Sequence, residues 1–233
     1  MLRNFIFSLF FFTGIIIISI IFLPSFFLPK QVVLFGGKLM GHWTGFCLRI
    51  FLSTKIIIKG TENIIRDEKF FIAASHQSMF ETFFLQTLFN SPVFILKKEL
   101  LLIPLFGWYL KKIGSISIKR GQTTKDNLGF YDEISSVVKS SNRPLIIFPQ
   151  GTRVLPNERP PFKKGASRIY EKLKIACQPV AINSGYIWPK SGRKISNKTI
   201  TISIMQRINN DLEKDIFLKT LEDKIYSELN LIN

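Results

Sequence analysis

Acidic residues are scarce in this chain: 16 Asp and Glu stand against 32 Lys and Arg, and none of the acids precedes Glu62. The resulting formal charge of +16 over 233 residues excludes a cationic partner and points to an anionic one, whether nucleic acid, an acidic membrane surface or a phosphorylated small molecule. Cysteine is nearly absent too. Cys47 and Cys177 are too few and too isolated for a disulfide framework or a metal site, and read as small buried apolar residues in a reducing compartment. Cofactor signatures are missing: there is no G-x-G-x-x-G, no P-loop, no metal-spaced His/Cys/carboxylate cluster and no G-x-S-x-G elbow. A reaction that needs only a base and an anion cradle is left, with no metal or cofactor expected.

Charge is missing altogether from residues 5–23. As a helix, that stretch reaches about 28 Å, close to the hydrocarbon thickness of a bilayer. A cleaved signal peptide is the competing reading, since Arg3 makes a short basic start; instead of a small-x-small cleavage site, Pro24, Pro29 and Lys30 follow. An uncleaved anchor is therefore expected, spanning the bilayer or lying along it. Lys30, Lys38, Arg49, Lys55 and Lys59 come next, which places the body of the protein on the cytoplasmic side. The 46% hydrophobic content with 23 Phe suits a protein resting on lipid better than a nucleic-acid binder, so anionic membrane lipid is the expected partner and nucleic acid is not.

The length allows one sizeable α/β domain with an appendage: residues 1–54 as anchor and interfacial helix, 55–233 as catalytic domain. Residues 41–52 read as a short amphipathic helix that lies either in the interface or on the core, with His42 on its polar face. Strand patterns fall at 55–60, 70–75, 92–97, 114–119, 144–149, 179–184 and 199–206, and helix patterns at 78–89, 99–112, 125–139, 166–173 and 214–229. Such alternation argues a largely parallel or mixed sheet flanked by helices, with ligands where loops leave the strand ends. The 99–112 helix, apolar almost all round, suits either contact with lipid or plain burial.

The stretch "FFIAASHQSMFETFFLQ" interrupts an apolar run with His76 and, five positions on, Glu81. On a regular helix five residues turn through about 500°, so the two side chains can meet only if His76 precedes the helix. The carboxylate could then take one ring N–H, fix the tautomer and stabilise the imidazolium formed when the other nitrogen accepts a proton, which is the machinery of a general base. The bland alternative is a satisfied turn histidine and an exposed Glu at a helix start. A cradle for an anion has a candidate in "IIFPQGTR", where Gly151 lets the backbone approach, Thr152 offers a hydroxyl and Arg153 a guanidinium. Further basic loops occur at Lys119 and Arg120, and at Lys163, Lys164 and Gly165 before a helix.

In combination these segments resemble the bacterial 1-acylglycerol-3-phosphate acyltransferases, the PlsC-type glycerolipid acyltransferases, from about residue 56 to the C-terminus. "HQSMFE" resembles the H-x4-D block, "GSISIKR" the second block, "FPQGTR" the F-P-E-G-T-R block with "FKKGA" downstream, and "QPVAINSG" the fourth, headed by Pro179. The resemblance implies His76 as base aligned by Glu81, and a phosphate site of Arg120, Gly151, Thr152, Arg153 and Lys164, supported by Gln150, Lys119 and Gly165. It also implies acyl transfer from acyl-CoA or acyl-carrier protein to the sn-2 hydroxyl of lysophosphatidic acid at a bacterial inner membrane. Two positions depart from the pattern. Glu81 stands in place of Asp, which keeps the charge and adds a methylene; Gln150 stands in place of Glu, which removes one. Glycerol-3-phosphate, a lyso-ornithine lipid or another lysophospholipid remain rival acceptors, and a basic membrane-binding protein without catalysis is the rival from another class.

Overall fold

The computed structural model describes residues 2–118 and 129–232. Lys119 and Arg120 lie outside the described residues. Two antiparallel helices come first, α1 (Leu2–Ile21) and α2 (Lys30–Leu52), joined by a 3₁₀ turn at Leu23–Phe27. The rest is strand and helix in alternation: β1 (Lys55–Lys59), β2 (Phe70–Ala74), α3 (Phe80–Leu88), β3 (Val93–Lys97), α4 (Phe106–Lys112), β4 (Ile116–Ile118), α5 (Phe130–Ser140), β5 (Leu145–Ile147), α6 (Gly165–Leu173), β6 (Ala176–Ile182), β7 (Thr199–Ile204) and α7 (Lys214–Ile232). The described strands form one mixed sheet in the order β1-β7-β6-β2-β5-β3-β4. The central β6, β2, β5, β3 and β4 are parallel, while β7 pairs antiparallel with β6 and carries β1 with it.

Side chains alternate across the sheet with the strand period of two, so β2 feeds a core on each face. Ile72 and Ala74 pack under α1, α2 and α3 with Phe80, Phe84 and Leu48, whereas Phe71 and Ala73 join Ile134, Tyr170, Phe217 and Leu221 under α5, α6 and α7. A strand buried on both sides explains why its sequence is apolar without interruption. Both cysteines are buried within these cores, and burial pushes the Cys177 thiol well up.

Three elements depart from the sequence reading. The helix expected over 41–52 begins at Lys30, directly after Pro29, because the glycines along it are contact points and not breakers. A Cβ on Gly41 would stand 2.5 Å from the Phe83 carbonyl oxygen, so the missing side chain is what lets α3 lie against α2. The helix expected over 99–112 is split into a 3₁₀ turn at Lys98–Leu102 and α4, since Pro104 lacks the N–H an α-helix requires and Leu105 takes φ 60°. Strand β6 starts at Ala176, which puts Pro179 inside it. Its own carbonyl accepts the Met205 N–H, so its nitrogen also faces β7, and the Met205 carbonyl takes the side-chain amide of Gln178 as donor.

The α2–α3 contact predicts a stability effect. Gly41→Leu forces apart two helices that share a core with the turn carrying His76, at a cost of about 1–3 kcal/mol typical of overpacking. A urea titration followed by circular dichroism should show the midpoint lowered; an unchanged midpoint would mean that α3 shifts freely.

Candidate active site

The segments singled out in the sequence leave the C-terminal ends of neighbouring parallel strands. "HQSMFE" follows β2, "FPQGTR" follows β5 and "NSG" follows β6, the three adjacent strands at the middle of the sheet. The crevice beyond such strand ends is where open α/β sheets bind ligands. Strand β4 is at the sheet edge, and Lys119 and Arg120, next in the sequence, lie outside the described residues.

After β2 the chain is fixed before it turns. Ser75 Oγ accepts the Ile182 N–H at 2.8 Å and donates to the Ile182 carbonyl at 3.2 Å, which locks the start of the turn to the end of β6. His76 comes next, half-buried, its ring stacked on Phe148 with centroids 4.1 Å apart and planes 19° from parallel. It precedes α3, as the five-residue spacing requires if it is to approach Glu81.

Glu81 is 0% exposed, so it is no surface carboxylate at a helix start. Oε1 accepts the Gln77 N–H at 2.8 Å, the Ser78 N–H at 3.1 Å and the Ser184 hydroxyl at 2.7 Å, and Oε2 accepts the Ser78 hydroxyl at 2.9 Å. Burial raises its carboxyl above the usual value while these hydrogen bonds pull it back down. The Ser78 hydroxyl also accepts the Phe80 N–H at 2.8 Å. Together they make a reciprocal S-x-x-E cap, and that spacing was the signal by which Ser78 could have been found. Ser184, from the fourth block, had no local signal. It reaches Glu81 only because β6 lies beside β2, and Gly185 reinforces the contact by donating its N–H to Gln77 Oε1 at 3.0 Å.

The 151–153 loop is suspended from His76. The His76 N–H donates to Gln150 Oε1 at 2.7 Å, and the His76 carbonyl accepts the Val154 N–H at 2.9 Å. Gly151, Thr152 and Arg153 lie between those two attachments. Gly151 takes φ +74°, and a Cβ there would sit 3.2 Å from the Lys163 side chain, so the lysine runs across the glycine. The Lys163 N–H donates to the Pro149 carbonyl at 2.8 Å, which ties the lysine to the start of the loop. Thr152 is exposed and Arg153 half-buried. Gln150 thus retains what the backbone demands of that position, a buried acceptor, without a charge. Lys164 is placed less directly: it forms the N-cap of α6, its carbonyl accepts the Ser167 hydroxyl at 3.0 Å, and its side chain is exposed. Gly165 is the first residue of α6. Lys163, not Lys164, is the lysine whose contact with the 151–153 loop the structure shows.

Among the described residues no group of three or more His, Cys, Asp or Glu side chains could hold a metal ion. Residues 55–183 match the family model described as acyltransferase, a span that takes in His76, Glu81 and the 150–154 loop. The chain belongs to the acyltransferase family. The chain is 31% identical over 154 residues, 65% of its own length, to a 1-acyl-sn-glycerol-3-phosphate acyltransferase of Pseudomonas aeruginosa. It is 31% identical over 162 residues, 67% of either chain, to one of Helicobacter pylori. The chain spans 59% of the length of the Pseudomonas relative. Its fold is that of the 1-acyl-sn-glycerophosphate acyltransferase PlsC from Thermotoga maritima, with a TM-score of 0.81 at 22% identity over 98% of this chain and 95% of the other.

Proposed function

We propose that the protein transfers an acyl group from acyl-CoA or acyl-carrier protein to the sn-2 hydroxyl of 1-acylglycerol-3-phosphate, releasing phosphatidic acid and the free thiol. The observation that carries this reading is the suspension of the 151–153 loop from both sides of the His76 backbone, which holds a base and a basic hollow at one fixed spacing. The names of the Pseudomonas and Helicobacter relatives support the acceptor.

The chemistry follows from that spacing. With the acceptor phosphate on Arg153, Thr152, the Gly151 backbone and Lys163, joined by Lys164, Lys119 and Arg120, the glycerol hydroxyl is presented to the ring. His76 Nδ1 is buried, so Nε2 takes the proton as the oxygen attacks the thioester carbon. The tetrahedral adduct expels the thiolate, which recovers the proton from the imidazolium. Glu81 keeps its negative charge against the turn that carries His76 and favours the imidazolium while it exists. No acyl-enzyme is formed.

A lipid acceptor requires access to a membrane. Helix α1 is long and apolar enough to cross one, yet it is tied along its length to the body of the protein. Asn4 brackets the Lys194 backbone at 2.8 and 3.0 Å, and Tyr109 donates to the Ser19 carbonyl at 2.6 Å. Its outer face presents Phe5, Phe12, Ile16 and Ile20 to the surroundings. In this reading residues 1–54 lie along the cytoplasmic leaflet of a bacterial inner membrane, with the Lys and Arg excess contributing about 1 kcal/mol for each basic residue near anionic lipid.

The test is thiol release from acyl-CoA or acyl-carrier protein by protein in phospholipid vesicles, with and without lysophosphatidic acid. Release that does not depend on the acceptor, or its absence with both donors, would sink the proposal. Arg153→Ala should raise KM for lysophosphatidic acid about tenfold or more, the scale of one charge-assisted hydrogen bond, and leave a phosphate-free monoacyl acceptor unaffected. An equal penalty on both acceptors would remove Arg153 from the phosphate site.

A further inference from the structure

Helix α7 carries two stripes. Phe217, Leu221, Ile225, Leu229 and Ile232 recur at the spacing of one helix face and are buried against α5, α6 and the sheet. Beside them, four residues apart, stand Glu222, Tyr226 and Asn230, and each holds the segment that leads from the 151–153 loop to α6. Glu222 Oε2 accepts the Phe162 N–H at 2.6 Å, the Tyr226 hydroxyl donates to the Pro160 carbonyl, and Asn230 Oδ1 accepts from the Arg159 guanidinium at 3.0 Å.

The first of these holds matters most. Pro160 and Pro161 have no N–H, so Phe162 offers the first backbone donor after Arg159, and its acceptor is a carboxylate, the stronger kind. Phe162 is buried, and its ring meets the Tyr226 ring with centroids 5.0 Å apart. The next residue is Lys163, whose N–H bonds the Pro149 carbonyl and whose side chain crosses Gly151. Holding the peptide just before it therefore settles where the lysine stem lies. The far end of the helix is held as well: the Ile232 carbonyl accepts the Asn183 side-chain amide at 2.6 Å, one residue before the Ser184 that reaches Glu81. Helix α7 thus touches both sides of the site, although the family match ends at residue 183.

We propose that Glu222 is a positioning residue for the acceptor phosphate, holding the Phe162 N–H so that Lys163 stays laid across Gly151. The proposal rests on the 151–153 loop and Lys163 receiving that phosphate. Glu222 touches no substrate; it acts through the lysine.

The experiment measures kcat and KM for lysophosphatidic acid with the full chain in phospholipid vesicles, using wild type, Glu222→Ala, Glu222→Gln, Lys163→Ala and the double variant Glu222→Ala/Lys163→Ala. Glu222→Ala and Lys163→Ala should each raise KM about tenfold, the scale of one charge-assisted hydrogen bond, with kcat within about twofold of wild type. Glu222→Gln keeps an acceptor for the Phe162 N–H and should hold KM within about threefold. In the double variant KM should rise less than about twofold beyond Lys163→Ala alone, because the two side chains act as one unit. A wild-type KM in either single alanine variant overturns the proposal, and so does full multiplication of the two effects. If Glu222→Ala fails to fold, Glu222→Asp, which withdraws the carboxylate by one methylene, takes its place with the same expectations. If wild type transfers nothing to lysophosphatidic acid, the proposed function fails on its own, and amide hydrogen exchange then tests the hold. The Lys163 amide, whose acceptor at Pro149 the substitution leaves intact, should exchange about tenfold faster in Glu222→Ala. Exchange there as slow as in wild type overturns the proposal.

Discussion

His76→Ala should lower kcat for acyl transfer to lysophosphatidic acid by roughly 10²- to 10⁴-fold, the span that a positioned general base contributes. The substitution is unusually clean here. Both bonds that tether the 151–153 loop to residue 76 are made by its backbone N–H and carbonyl, so alanine keeps them. The losses are confined to the ring, whose contacts include the stack on Phe148. KM for lysophosphatidic acid should accordingly stay within a few-fold of wild type while kcat collapses, as measured by thiol release under saturating donor. Rates equal to wild type would remove the histidine from the chemistry and with it the proposed mechanism.

Glu81→Gln is the second large effect, with kcat expected to fall about 10²-fold. The amide fills the same space, and its oxygen still accepts the Gln77 and Ser78 N–H groups that shape the turn, so the loss is chiefly of charge. Without the anion the imidazolium is less favoured, and the acidic limb of kcat/KM moves to lower pH. Stability should respond with its own sign. Burial raises the Glu81 carboxyl in the folded protein, so its contribution is most favourable below the unfolded value of about 4.3 and is lost as pH rises through the folded value. The amide variant escapes that loss. Its melting temperature relative to wild type should therefore increase on going from acidic to neutral pH, and a difference constant with pH would contradict the assignment.

Most of the strand order along the chain was readable because β2, β5 and β6 are short apolar runs that end at Ser75, Pro149 and Asn183, where polar or turn-forming residues take over. The lateral order of the strands was not, since nothing local says that β6 lies beside β2 and brings Ser184 onto Glu81. Pro179 misled in the same way: a proline is excluded from a central strand only if its missing N–H has an acceptor left waiting, and here the Gln178 side chain serves that acceptor. His76 and Glu81 stood out because an imidazole and a carboxylate both break an apolar pattern. Lys163 could not be told from its neighbour Lys164, because a lysine in a loop looks alike whether it faces solvent or crosses a glycine.

The double attachment of the 151–153 segment at residue 76 also bears on how such proteins can be re-engineered. Surface loops ordinarily accept extra residues at small entropic cost. This one is a bight with both ends moored to a single post, so inserting even one residue between positions 150 and 154 must cast off one end and let the guanidinium drift from the imidazole. Exchange of acceptor preference between relatives would then succeed only when the histidine turn and this bight are transplanted as a pair.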